Sequence, residues 1–382
     1  MTSFSLTRRQ ALAGAGAAAL IPSTAWGVDA NAVLNEALAG TAVPGMAAIV
    51  IRNFHAEREI VAGVRRIGGD DQIRRGDRWY LGSDAKAMTA TLIAILAEQG
   101  VLSWQTPLSE MLPALASTML PEYRDLTLPD LLSHRTGISP DIADFDLFVS
   151  FFEDPAPLST QRQRYIAVAL SRAPVAPKRA EHLYSNTNYY IAAAIVEHAT
   201  GQEFEALMER LVFAPLRMRS VTREPIAGPR EPIGHVNGRV ADRFGTASSD
   251  LEPPMGSPSA GGIRLSMRDW ARFCIDQMHG EHGNGRLLRN TTYRYLHTPQ
   301  GDTRYALGWV AQQSVYGRRG PAIYHSGSDG NWIAEAVLFP RIGDGVLVCS
   351  NSAYGMDGNT TAETVARRVC QTLSEAVEPP PA

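Results

Sequence analysis

Residues 80–96, YLGSDAKAMTATLIAIL, place Ser83 and Lys86 three positions apart, where a polar loop gives way to an apolar segment. Residues at i and i+3 are neighbours on a helix, so these two side chains are expected to meet. The apolar spacing predicts a helix from Ser83 to about Gln99, followed by Gly100, a residue favoured directly after a helix. Two interpretations are open: an N-cap serine beside a solvated lysine, or a nucleophile beside its base.

The second interpretation has a physical basis. Free N–H groups and the macrodipole at a helix N-terminus favour a negative charge that develops near Ser83. A lysine at the root of a buried helix loses solvation, which lowers its pKa and leaves a neutral amine able to accept a proton. A serine nucleophile needs such a base at neutral pH. Because S-x-x-K alone is frequent by chance, the rest of the sequence must decide.

Two more polar motifs lie further along the chain, at 183–190 and 324–332. The first, LYSNTNYY, places Tyr184 and Asn186 ahead of a predicted helix. The second, YHSGSDGNW, lies at the end of a late predicted strand and contains, in order, His325, Ser326, Gly327 and Ser328. S-x-x-K, Y-x-N and H-S-G in this order form a set that chance rarely produces.

This set resembles the motifs of the penicillin-recognising serine hydrolases, which include class C-type β-lactamases, D-Ala-D-Ala carboxypeptidases and β-lactamase-like esterases. Segments LLSHRTGI, SAGGIRLSMRDWARF and YALGW look like further signatures of that family, so the resemblance covers most of residues 40–352. Within LLSHRTGI, His134 is expected to close a helix rather than to do chemistry. The resemblance implies an acyl-enzyme mechanism that needs no cofactor and no metal.

Carried over by position, the resemblance implies catalytic roles for three side chains. Ser83 Oγ would attack the substrate carbonyl, and Lys86 would accept or share its proton. Tyr184 would relay a proton to the leaving group and help to activate water for deacylation. Asn186 would support them by orienting Lys86 and the substrate amide.

The resemblance also implies supporting roles around the third motif. The backbone N–H groups of Ser83 and Ser328 would form the oxyanion hole, typically the largest single contribution to catalysis. His325 and Ser326, beside Gly327, would line the opposite wall. They would hold a carboxylate or the acyl arm of the substrate.

Two departures from the family pattern bear on the substrate. The third motif is His-Ser-Gly rather than Lys-Thr-Gly, and a histidine is charged only part of the time at neutral pH. His325 is thus expected to help anionic substrates only while protonated, which weakens the β-lactamase interpretation. Asp84 is expected to place a carboxylate near the mouth of the site, where it would disfavour anionic substrates. The residues after the third motif form either a substrate wall or a turn before a strand: Asp329, Asn331 and Trp332.

Strand patterns at both chain ends, with helical patterns between them, predict an α+β fold. The segments GMAAIVIRN and REIVAGVRRI predict a hairpin, and strand-like segments recur after residue 305. We expect a β-lactamase-like antiparallel sheet, built from both chain ends and flanked by helices, with a site in the crevice beside an inserted helical domain. The predicted parts are a sheet domain (28–95 with 260–376), an inserted, mainly helical domain with a long active-site loop (96–259), and a tail (377–382).

The N-terminal segment, residues 1–27, has the order of a bacterial export signal. The twin arginines Arg8 and Arg9 precede a weakly apolar segment, and small residues follow it as far as Gly27. This order is typical of the twin-arginine route, and the apolar segment is too short to span a bilayer. We therefore predict cleavage near Gly27 and a periplasmic or secreted protein; the alternative is a disordered basic N-terminus.

Composition excludes several other functions. The chain has 382 residues and a formal net charge of −3, without the basic patch that nucleic acid or an anionic membrane would require. The cysteines lie in apolar segments and are interpreted as core residues, with at most one disulfide: Cys274, Cys349 and Cys370. His279 and His282 have H-x-x-H spacing in a Gly-rich segment, which favours a surface loop over a metal site.

The sequence therefore predicts an exported serine hydrolase that cleaves an ester or amide, as a carboxylesterase or a D-Ala-D-Ala carboxypeptidase would. One alternative is a class C-type β-lactamase. Another is a penicillin-binding or wall-binding relative that is acylated without turnover. The predicted partner is a small ester, peptide or β-lactam, and the oligomeric state stays open.

Overall fold

The structure is a computed structural model of the chain, and it describes residues 30–140, 142, 144–223, 231–236, 238–241, 258–315, 318–353 and 367–372. The predicted export signal and the predicted tail lie outside the described residues. Much of the predicted active-site loop lies outside them as well.

The part of the chain that the structure describes contains helices along most of its length. They are α1 (Ala30–Leu38), α2 (Ala85–Glu98), α3 (Leu108–Met111), α4 (Leu128–Leu132), α5 (Phe145–Glu153), α6 (Leu158–Leu170), α7 (Asn186–Thr200), α8 (Phe204–Met208), α9 (Met267–Glu281) and α10 (Asn290–Leu296). A π-helical segment, Glu209–Phe213, extends α8, and residues 367–372 are also helical.

The strands lie mainly at the two ends of the chain. They are β1 (Gly45–Arg52), β2 (His55–Ala56), β3 (Ile60–Gly63), β4 (Arg78–Tyr80), β5 (His235–Val236), β6 (Arg239–Val240), β7 (Arg264–Ser266), β8 (Val310–Val315), β9 (Arg318–Ser328), β10 (Ile333–Phe339) and β11 (Asp344–Ser350). Pairing of β1 with β3 confirms the predicted hairpin.

The main sheet combines both chain ends, as predicted. Its order is β2-β1-β11-β10-β9-β8, with β3 also paired to β1, and the pairings are antiparallel. N-terminal β1 lies directly beside C-terminal β11, and Met46 pairs with Ser350. The helices α3 to α8 come between the two groups of strands in sequence. The fold is therefore α+β of the expected type, whereas the boundaries of the two domains stay a prediction.

Both faces of the sheet are covered. On one face, apolar side chains of β10 and β11 belong to the same core cluster as α2, α7 and α9. On the other face, a second cluster joins the sheet to α1 and to Val369 and Cys370 of the helical segment at 367–372. Every residue of β10 is buried, as expected for a central strand covered on both sides.

Helix α2 lies inside the molecule because it is apolar on nearly every side. All of its residues from Ala85 to Leu96 are buried, including Lys86. The predicted helix began at Ser83, but a 3₁₀ turn, Gly82–Asp84, precedes α2 instead. The positive φ of Gly82, 50°, allows that tight turn between β4 and the helix. Ser83 thus lies in the turn, just ahead of the N-terminus of α2.

Two expectations about secondary structure are wrong. The first strand-like segment after residue 305 was expected to be a strand from its start, but β8 begins only at Val310, because the chain turns at Gly308 with φ 82°. His279 lies in the last turn of α9 rather than in a loop, and its ring stacks on Phe54 at 4.4 Å. His282 follows α9 and its Nε2 donates to the carbonyl of Pro340 at 2.9 Å. These two histidines pack the end of α9 against neighbouring segments.

The cysteines are all free and buried, in agreement with their interpretation as core residues. Burial raises the pKa of each thiol well above its usual range. Among the described residues, no helix combines the length and the apolar character that crossing a membrane would require.

Candidate active site

Lys86 is the centre of the site, and although its side chain is completely buried, its Nζ contacts polar atoms of Ser83, Asn186 and Ala260. Its Nζ lies 2.9 Å from Ser83 Oγ, 2.7 Å from Asn186 Oδ1 and 2.7 Å from the carbonyl of Ala260. An amide oxygen and a carbonyl can only accept, so two N–H groups of Lys86 are directed at them. The third direction faces Ser83 Oγ, where a proton can be held by either partner.

Tyr184 and Asn186 reach Lys86 because of the way α7 begins. Asn186 is the first residue of α7, and half-buried Tyr184 stands two positions before it. The Nζ of Lys86 lies 5.0 Å from the centre of the Tyr184 ring, a distance typical of a cation–π contact. The structure therefore brings together Ser83, Lys86, Tyr184 and Asn186, which lie far apart in sequence.

Strand β9 passes so close to the turn before α2 that only glycines fit at two positions. A Cβ on Gly82 would lie 2.4 Å from the backbone N of Ser328. A Cβ on Gly327 would lie 1.9 Å from the carbonyl of Leu81 and 2.8 Å from the backbone N of Ser83. The backbone N atoms of Ser83 and Ser328 thus lie at one junction, where the predicted oxyanion hole would be.

The side chain of His325, on β9, is buried and is held by two hydrogen bonds. Its Nδ1 lies 3.0 Å from the carbonyl of Ser326, which can only accept, so Nδ1 carries the proton. Its Nε2 then accepts from the hydroxyl of Tyr305 at 2.8 Å. Burial and the charge of Lys86 lower the pKa of His325 to about 3. The expectation that His325 is partly charged near neutral pH is therefore wrong.

Ser326 lies on the opposite face of β9 from His325, because successive side chains of a strand alternate. Its hydroxyl donates to Glu335 Oε1 on the neighbouring strand at 2.7 Å. The structure thus does not bring the Ser326 hydroxyl to Lys86. Gly327 and Ser328 contribute their backbone to the junction with the turn before α2.

Asp84 is not at the mouth of the site, contrary to expectation. Only 2% of its surface is exposed, and its Oδ2 would lie 2.7 Å from a Cβ on Gly327. Burial, together with nearby Glu335, raises the pKa of Asp84 well above its usual range. Burial of this carboxyl beside Ser83 therefore works against its ionised form, and the side chain lies away from the mouth, where it would meet anionic substrates.

The residues after the third motif form a turn before a strand, which was one of the two expected alternatives. Asp329 Oδ1 accepts the N–H groups of Asn331 at 2.9 Å and Trp332 at 3.1 Å. The Trp332 ring packs edge-on against Trp79, with ring centres 6.0 Å apart. The turn leads directly into β10.

Two aromatic residues near Tyr184 were not among the predicted site residues. His134 follows α4 with φ 58°, so it does close a helix as expected, but its ring also lies 4.2 Å from that of Tyr184. Tyr305 holds His325 and approaches the Tyr184 ring edge-on at 6.2 Å. Both lie in the segments LLSHRTGI and YALGW, whose resemblance to family signatures was the available signal.

One cluster in the described part of the chain has carboxylates close enough to hold a metal ion: Glu197, Glu203 and Glu205. Arg162, completely buried, forms ion pairs with Glu197 and, at 2.7 Å, with Glu205. Glu197 and Glu205 therefore already have a cationic partner, and Glu203 accepts the hydroxyl of Ser159 at 3.0 Å. None of the three contacts Lys86 or Ser83 in any described hydrogen bond.

A family model for β-lactamases matches residues 30–371. Because this match covers most of the chain, the chain belongs to the β-lactamase family. The resemblance to penicillin-recognising serine hydrolases is confirmed. The solved class C β-lactamase of Rhodobacter sphaeroides has the same fold, with a TM-score of 0.70 at 19% identity over 91% of this chain and 99% of that chain.

Two curated relatives are hydrolases of differing substrates. Unguisins hydrolase ungD of Aspergillus violaceofuscus is 26% identical over 84% of this chain, and the match spans only 60% of that relative's length. D-alanyl-D-alanine-carboxypeptidase/endopeptidase AmpH of Escherichia coli K12 is 24% identical over 81% of this chain and 80% of its own length. Identities of 24–26% do not show that this chain acts on the substrate of either relative.

Proposed function

We propose that this protein is an exported serine hydrolase that cleaves an ester or amide through an acyl-enzyme on Ser83. The observation that carries the proposal is the set of contacts of Lys86. Its Nζ is held by Asn186 and by the carbonyl of Ala260, with Ser83 Oγ at 2.9 Å in the remaining direction. A base fixed in this way beside a hydroxyl is what nucleophilic catalysis by serine requires.

Acylation would proceed in two proton transfers. Lys86, in its amine form, takes the proton of Ser83 as Oγ forms a bond to the substrate carbonyl carbon. Negative charge then develops on the carbonyl oxygen, and the N–H groups of Ser83 and Ser328 would stabilise it. Tyr184 passes a proton to the leaving group as the bond to that group breaks. Deacylation repeats these steps with water as the nucleophile.

The character of the third motif favours uncharged substrates. The family pattern has a lysine where this chain has His325, and a neutral histidine offers no fixed positive charge to a substrate carboxylate. Penicillins and peptides ending in D-Ala-D-Ala both carry such a carboxylate. We therefore favour a carboxylesterase, or an amidase for uncharged amides, over a β-lactamase or a D-Ala-D-Ala carboxypeptidase.

The test is hydrolysis of a short-chain nitrophenyl ester by Ser83→Ala, with Ser109→Ala as the matched control. Ser109 is a half-buried serine at the start of α3, and its hydroxyl donates to the carbonyl of Arg124. Ser83→Ala is expected to lower kcat on the order of 10⁶-fold, because the nucleophile is lost. Ser109→Ala is expected to behave as the wild type.

Intact-mass spectrometry on the same samples separates turnover from simple acylation. A transient adduct of the acyl mass on the wild type, absent from Ser83→Ala, supports the proposed hydrolase. A permanent adduct after a single burst identifies a binding protein that is acylated without turnover. Ester hydrolysis that survives Ser83→Ala contradicts the assignment of the nucleophile.

A further inference from the structure

We propose that His134 is a positioning residue for Tyr184, which it holds in place to transfer a proton to the leaving group. The inference rests on the role given to Tyr184 in the proposed function. It assigns a role at the site to His134, for which the sequence predicted only that it closes a helix. The Tyr184 side chain stands before α7, outside the regular helix, so its direction must be fixed by neighbours.

His134 contacts the Tyr184 segment in three ways. The carbonyl of His134 accepts the N–H of Leu183 at 2.9 Å. Its Nδ1 accepts the N–H of Ser185 at 3.1 Å. Its ring lies against the Tyr184 ring, with centres 4.2 Å apart and planes inclined by 33°. The residues on both sides of Tyr184 and the Tyr184 ring itself thus contact one residue, His134.

The chemistry of histidine suits this position. His134 adopts φ 58°, a left-handed conformation in which histidine is several-fold enriched among non-glycine residues. Its Nδ1 accepts the N–H of Ser185 and so carries no proton. Burial and the charge of Lys86 also lower the pKa of the ring well below its usual range. A phenylalanine would keep the stacking but lose the bond to Ser185, and an alanine would lose both.

His134 also contacts two other aromatic rings of the site. Its ring lies 4.7 Å from Tyr305, which holds His325, and 5.4 Å from Tyr189. The Tyr184 ring therefore has two close neighbours, the His134 ring at 4.2 Å and the Lys86 Nζ at 5.0 Å from its centre. A displacement of about 1 Å in such a group can cost roughly 10²-fold in rate.

The test compares two esters of the same acid in His134→Asn. Asparagine tolerates the left-handed backbone but cannot stack on Tyr184. An alkyl ester needs a proton on its leaving alkoxide, whereas a nitrophenolate leaves without one. We expect kcat/KM for the alkyl ester to fall about 10²-fold, and kcat/KM for the nitrophenyl ester to change little. Tyr184→Phe should show the same selective loss.

The matched control is His297→Asn, which removes another buried histidine, held by Glu281 and Gln277 at the end of α10. It is expected to affect both esters equally, through stability alone. In a Tyr184→Phe background, His134→Asn should cause no further loss, because both changes remove the same proton transfer. Additive losses, or equal losses for the two esters, would show that His134 only supports the fold.

Failure of this inference differs from failure of the proposed function. If hydrolysis needs Ser83 but His134→Asn slows both esters to the same extent, the role of His134 is contradicted and the proposed function still holds. If His134→Asn does not fold, His134→Gln provides a second variant that retains an acceptor and lacks the ring. If the wild type is acylated without turnover, the rate at which the adduct forms from each ester gives the same comparison.

Discussion

The charge at position 325 bears on which substrates the proposed site would accept. His325 is 4% exposed, and its pKa is lowered to about 3, so it is uncharged at any pH near neutral. Asp84 is buried as well, and its pKa is raised well above the usual range. Desolvation therefore works against the charged form of both residues, which the sequence alone would count as a partial cation and an anion at the site.

The first prediction concerns how substrate binding by the wild type responds to pH. The ratio of KM for a hemisuccinate ester to KM for its neutral methyl counterpart should stay constant from pH 5.5 to 8.5, because His325 does not titrate in this range. His325→Lys should lower that ratio by adding a positive charge. Steady-state kinetics on the two esters provide the measurement, and a wild-type ratio that rises between pH 6 and 7 would show that His325 is a cationic clamp.

A second prediction concerns stability in acid. The pKa of His325 is about 3 in the folded protein, below the usual value near 6.5, so between these values the unfolded chain binds more protons. The free energy of unfolding should therefore fall as pH drops from 6.5, by at most about 1.4 kcal/mol per pH unit from this group. His325→Gln should weaken that dependence in urea titrations, and exposed His198→Gln is the control. Identical slopes for His325→Gln and the wild type would contradict the lowered pKa.

At the scale of elements, the contact between β9 and the turn Gly82–Asp84 determines whether the site exists. The two segments approach so closely that Gly82 and Gly327 leave no room for a side chain. Their backbones thereby bring Ser83 N and Ser328 N to one junction. No side-chain interaction could replace this contact, because the donors for the oxyanion would be main-chain groups.

Gly327→Ala is the prediction that follows at this scale. The new Cβ would lie 1.9 Å from the carbonyl of Leu81, so β9 must move away from Ser83. Acylation by a nitrophenyl ester should slow by about 10²-fold or more, as when one oxyanion donor is lost. Gly69→Ala, where the nearest atom is the Arg66 carbonyl at 3.3 Å, is the control and should keep its activity. Wild-type acylation in a folded Gly327→Ala variant would contradict the proposed oxyanion hole.

At the scale of the whole molecule, the order of strands and helices could be predicted from the sequence, while the environments of single residues could not. Periodicity located α2, α7 and α9, and the motif order predicted which segments meet at Lys86. Burial of Asp84 and His325 depends on packing of β9 against the turn before α2, a contact between segments far apart in sequence. Local pattern carries no information about such a contact, and the same holds for the His134 ring against Tyr184.

Export is a prediction about the whole chain that rests on the twin arginines of residues 1–27. Replacing Arg8 and Arg9 by lysine should leave uncleaved precursor in the cytoplasm, because the twin-arginine route requires both arginines. Immunoblotting of cytoplasmic and periplasmic fractions gives the measurement, with Arg52→Lys as a control in the folded part. Normal export of the double variant would point to the general secretory route or to an N-terminus that is not a signal.

The pairing of β1 with β11 has a consequence for biosynthesis. Met46 pairs with Ser350, so the middle of the sheet joins a segment made early in translation to one made near the end. Contacts of such large sequence separation form slowly, because a long loop must close before they contribute. On the ribosome, β1 and β3 can form a hairpin, but the edge of β1 that pairs with β11 stays exposed until β11 emerges. The main sheet can therefore be complete only after nearly the whole chain has left the ribosome.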